Sequence, residues 1–118
     1  MQLKSAKLIE DIRDAAAYIL EATEGLTAGT FSSNRLVRQA VERNFQIIGE
    51  AARRLTDHDP ALAAKLGPVG QVIAFRNIIV HGYDALDHEV VWSVVKSHLP
   101  ALAQVVTALL EDIKSAKS

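Results

Sequence analysis

Apolar residues recur every three or four positions along most of this chain, the period of a helix with one buried face. From Leu3 to about Glu24 they fall at 8, 9, 12, 16, 19 and 20, and Gly25 is a natural stop. Residues 25–33, GLTAGTFSS, are rich in turn formers and read as a loop. Ser33 or Asn34 can cap a second helix, whose apolar set is Leu36, Val37, Ala40, Val41, Phe45, Ile48, Ala51, Ala52 and Leu55. Gly49 interrupts it, costing about 1 kcal/mol against alanine, and a close helix–helix approach is the expected compensation. With charges mixed into its apolar run, this segment also reads as an interface helix, with Phe45 and Gly49 at the contact.

Asp59 followed by Pro60 is a cap and first-turn pair opening a short helical turn that ends near Leu66-Gly67-Pro68. A third main helix is expected from about Val69 to Val80 or His81, with Gly82 as its C-cap. Asp87 caps a further helix starting at His88, and Pro100 predicts a kink or break between Ser97 and Leu99. A last helix covers Ala101 to about Lys114. The valine pairs at 90–91, 94–95 and 105–106 follow helical rather than two-residue spacing, so no strand competes. The expectation is an all-α, single-domain bundle of four to five helices over residues 1–118.

Composition agrees with helix: 49% of the 118 residues are hydrophobic, with only six glycines and three prolines. The absence of cysteine excludes disulfides and thiolate chemistry. A charged N-terminus is unlike a signal peptide, and no apolar run approaches the roughly 20 residues that span a bilayer. A soluble cytoplasmic protein with no membrane contact is expected. Net charge is −1, yet arginines 35, 38, 43, 53 and 54 face only Glu42 and Glu50 in their stretch. Such a strip could meet phosphates or could be a solvated helix face.

The polar groups most in need of explanation lie in FRNIIVHGYD, residues 75–84. Arg76, Asn77, His81 and Tyr83 crowd around Ile78, Ile79 and Val80. On a straight helix Arg76 and His81 point roughly 140° apart, so they converge only at a helix end or with copies from a second chain. An arginine holds phosphate by two fixed hydrogen bonds, and a histidine moves protons near neutral pH. Together they suit metal-free cleavage of RNA. On spacing alone, an ion-paired Arg76 and a helix-capping His81 are the commoner arrangement. Asn77 could orient the arginine or cap locally. Tyr83 is a half-buried lid or an accessible hydroxyl. The other histidines, 58, 88 and 98, lack metal-site spacing with carboxylates, so neither a metal nor a cofactor is expected. Trp92, in register with Val91 and Val95, reads as core rather than a stacking platform.

Three segments, ERNFQIIGEAA (42–52), FRNIIVHGYD (75–84) and VVWSVVKSHLPAL (90–102), resemble the HepT-like branch of the HEPN superfamily. The most specific element is Arg-x4-His-x-Tyr, occupied by Arg76, His81 and Tyr83, with Asn77 matching the usual start. The resemblance reverses the preference for a merely structural Arg76 and His81. It implies an all-α toxin of a toxin–antitoxin pair, a homodimer with facing Arg-x4-His motifs, acting as a metal-independent endoribonuclease. It further implies Arg76 and His81 as the catalytic pair, Asn77 in support, and an MntA-type minimal nucleotidyltransferase as antitoxin partner. That partner would transfer AMP to Tyr83 and block RNA. Two other readings stand beside it: a non-catalytic helical dimer that binds a nucleotidyltransferase or a nucleotide, and a plain dimerisation domain.

Overall fold

In the computed structural model the described residues are 3–67 and 88–117, with side chains from Lys4 to Gly67 and His88 to Ser115. They form six helices: α1 Leu3–Ala22, α2 Ala28–Ser33, α3 Arg35–His58, α4 Pro60–Ala64, α5 His88–Ser97 and α6 Leu99–Lys117. The third main helix expected over 69–81, its Gly82 cap and the Asp87 cap lie outside the described residues.

Local chemistry sets the boundaries. The Thr23 hydroxyl donates to the Ile19 carbonyl at 2.8 Å near the end of α1, and Gly25 then turns the chain at φ 78°. That left-handed geometry favours glycine, which has no Cβ to clash. The stretch 25–33 is not wholly loop. Thr27 and Thr30 bond reciprocally through side chain and backbone, a capping box that starts α2. The six-residue helix is held from outside: Phe31, fully buried, is inserted among the core residues. Short helices of this kind depend on tertiary packing rather than propensity.

Asn34 caps α3, its Oδ1 accepting from the Val37 amide at 3.1 Å. The helix runs to His58, about a turn beyond Leu55, the last residue of its apolar set. Asp59 stops it and starts the next: its amide donates to the Leu55 carbonyl, and its carboxylate accepts from the Leu62 amide at 3.1 Å. The break at Pro100 is present, with α5 and α6 bent by 44° around His98. The last helix begins at Leu99, so Pro100 occupies its first turn, where a missing N–H leaves no intrahelical bond unmade.

The core runs between α1, α3 and α6. Ile9, Ile12, Ile19, Ile48 and Leu55 are fully buried, joined by Val106, Leu110 and Ile113 from the last helix. The most extensive packing is α1 on α3, followed by α1 on α6; α2 packs on α3 and α5. Phe45 is 1% exposed and Gly49 is buried, both within this single chain. This corrects the expectation that Phe45 and Gly49 sit at an interface: both are inside the fold, while Leu36 of the same apolar set is 82% exposed. No single described helix is long and apolar enough to cross a membrane, and the apolar side of the bent α5–α6 pair faces the core.

Candidate functional site

Helical periodicity sorts the α3 arginines onto different sides. Arg35, Arg43, Arg53 and Arg54 are exposed. Arg53 and Arg54 share the Glu50 carboxylate, at 2.6 and 3.4 Å, so part of the positive strip is internally balanced. Such exposed pairs contribute little to stability, with a median of about 0–1 kcal/mol. Arg43 and Arg54 also border a groove of about 210 Å³ between α1 and α3, with Asp11, Gln46 and Glu50 on its walls. The mixture of signs there gives no concentrated anion site.

Arg38 differs from the others. It lies half-buried on the flank of α3, and its Nη1 is 2.9 Å from Nε2 of His88, the first residue of α5. A guanidinium has donors only, so Nε2 must present its lone pair and the ring proton sits on Nδ1. Glu42, one turn along α3, feels both partners. Burial pushes its carboxyl above the usual carboxylate range, while Arg38 and, to a lesser extent, His88 pull it down. The Arg38 Nε is buried with no hydrogen-bond partner among the described residues.

One turn further along α5, the Trp92 ring packs on Phe31 with centroids 5.2 Å apart and planes tilted by 35°. Lys96 places Nζ 4.8 Å from the Trp92 ring centroid. Trp92 is partly buried against the core, as its register with Val91 and Val95 predicts. Its outer face is already covered by a cation–π contact, worth about 0.5–1 kcal/mol at exposed sites.

Arg76, Asn77, His81 and Tyr83 all lie outside the described residues. What the structure places is the frame around them in sequence: Gly67, with φ 73°, on one side and His88 on the other. His58 is exposed near the end of α3, and His98 marks the α5–α6 break. Among the described residues no group of three or more histidine, cysteine or carboxylate side chains could hold a metal ion. Sequence reasoning missed the Arg38–His88 contact. The two residues are 50 positions apart, and no short-range pattern links them.

The family model for Ribonuclease HepT-like proteins matches residues 12–109. A Methanocaldococcus jannaschii protein provisionally named RNase MJ1380 is 30% identical over 96 residues, covering 81% of this chain and 87% of that protein. A Thermococcus cleftensis protein named probable ribonuclease HepT is 30% identical over 94 residues, covering 80% of this chain and 84% of its own length. No solved structure matches. A match over most of the chain, reaching from within α1 into α6, makes this all-α protein a member of the Ribonuclease HepT-like family.

Proposed function

We propose that the protein is the toxin of a toxin–antitoxin pair, a metal-independent endoribonuclease that works as a homodimer. The observation that carries this reading is the family match over residues 12–109, which encloses the complete Arg76-x4-His81-x-Tyr83 set. The names of two relatives as ribonucleases point the same way. Two copies in a dimer would bring Arg76 and His81 together in a way that one straight helix does not.

The chemistry follows from the groups. His81 takes the proton from a ribose 2′-OH, and the 2′-oxygen attacks the adjacent phosphorus. The bond from phosphorus to the 5′-oxygen breaks, and that oxygen leaves with a proton donated by a protonated His81 imidazole. The products are a 2′,3′-cyclic phosphate and a 5′-hydroxyl. Arg76 stabilises the extra negative charge on the phosphorus oxygens in the transition state, and Asn77 orients it. Tyr83 is the control point: an MntA-type nucleotidyltransferase joins its hydroxyl oxygen to the α-phosphorus of ATP and releases pyrophosphate. The added phosphate repels RNA from the site.

Purified protein made without its partner should cleave RNA in EDTA. Cleavage should disappear in Arg76→Ala and in His81→Ala while the sedimentation of each variant stays that of wild type. Full cleavage by both variants, after contaminants are removed, refutes the assignment. Co-expression with the neighbouring nucleotidyltransferase should add AMP-sized mass increments that map to Tyr83 and vanish in Tyr83→Phe.

A further inference from the structure

The contact between Arg38 and His88 is a polar link between α3 and the start of α5. His88 follows the FRNIIVHGYD segment after three residues, so whatever holds His88 fixes where the chain leaves that segment. Both groups are partly buried, and Phe31 and Trp92 pack α2 against the same helix one turn on. The guanidinium also keeps a buried Nε without a hydrogen bond among the described residues, an arrangement that usually carries a desolvation cost. An ordinary surface arginine would turn to water and avoid that cost. Its inward orientation therefore favours a geometric role over a gain in stability.

We propose that Arg38 and His88 are a positioning pair: Arg38 fixes the first residue of α5 and thereby, if residues 76 and 81 carry the RNA chemistry proposed above, holds them in register. Neither residue needs to touch RNA. Glu42 on α3 interacts electrostatically with both members of the pair, and Glu89 follows His88 in the first turn of α5. Glutamine at position 88 can present a carbonyl oxygen near the place of Nε2, whereas alanine cannot.

The test uses the full-length protein. Arg38→Met and His88→Ala should each lower kcat for RNA cleavage by about tenfold or more, with KM within about twofold, the pattern of misplaced catalytic groups. His88→Gln should recover most of the loss, and the double variant should be no worse than either single one. Val95→Ala, which opens a cavity on the buried side of α5, should lower stability and leave kcat unchanged well below its melting temperature. A second readout does not depend on cleavage. Amide hydrogen exchange of peptides covering 75–87 should speed up in Arg38→Met and His88→Ala and return towards wild type in His88→Gln. Unchanged exchange in both variants overturns the positioning role whether or not the protein cleaves RNA. If exchange responds while wild-type protein cleaves no RNA, the pair stands as the anchor and the ribonuclease reading falls.

Discussion

Phe45 provides a direct test of how α3 is used. The ring is 1% exposed and sits between Val41 and Ile48 on the buried side of the helix. Truncation to alanine removes most of a buried aromatic side chain and leaves a cavity, which costs about 3–5 kcal/mol in well-packed cores. With a urea slope of roughly 1.5 kcal/mol/M for a domain of this size, 4 kcal/mol moves the unfolding midpoint down by about 2–3 M. Glutamate at the same place adds the desolvation of a carboxylate, several kcal/mol more. The total approaches the whole stability of a typical domain, about 5–15 kcal/mol. Phe45→Glu should therefore be largely unfolded, and Phe45→Ala folded but strongly destabilised. Urea titrations followed by far-UV circular dichroism, with sedimentation velocity on the same samples, separate the outcomes. A Phe45→Glu protein that keeps its helical signal and sediments as a smaller species would refute the reasoning, because it would place the ring between subunits.

Glu42 makes a pH-dependent prediction whose sign is fixed. Its folded-state pKa is raised, so the native state holds the proton more tightly than the unfolded chain. The associated stability is present at low pH and is lost as pH rises through the folded value. Glutamine does not titrate, so the stability of Glu42→Gln relative to wild type should increase as pH rises above the ordinary glutamate value of about 4.3, read by thermal melts in matched buffers. A difference that shrinks with pH contradicts the burial argument. Asn34→Ala removes the acceptor for the Val37 amide and should lower stability by about 1 kcal/mol, with Asn34→Asp restoring it in urea titrations. Phe31→Ala should cost about 3–5 kcal/mol and also red-shift the Trp92 emission band, since water gains access to the indole. An unchanged Trp92 spectrum would mean that the two rings do not pack in solution.

How much of the fold was legible in the sequence differs from element to element. The apolar positions 8, 9, 12, 16, 19 and 20 predict the buried side of α1; the first five are buried and Leu20 is partly buried at its edge. Asn34, Asp59 and Pro100 announce their caps and break through groups that act on neighbours one to four residues away. The helix over 28–33 was not legible, because glycine, serine and threonine are poor helix formers and a turn-rich composition describes both outcomes. Phe31 decides the matter only because α5 supplies Trp92 to pack against it. The candidate site is legible in a different sense. Arg76, Asn77, His81 and Tyr83 form a pattern in the sequence itself, and the family match encloses them.

The sequence by itself determined the helical class, most helix ends and the residue pattern that marks the family. These depend on period, caps and short motifs, all of which act over a few residues. Only the tertiary structure decided that Phe45 and Gly49 belong to the interior of one chain, and that Arg38 leaves the exposed arginines to meet His88. A helix with a strong apolar side can bury it against its own chain or against a partner, and its periodicity is the same in both cases. Contacts between residues 50 positions apart depend on how the helices pack, which no local pattern encodes.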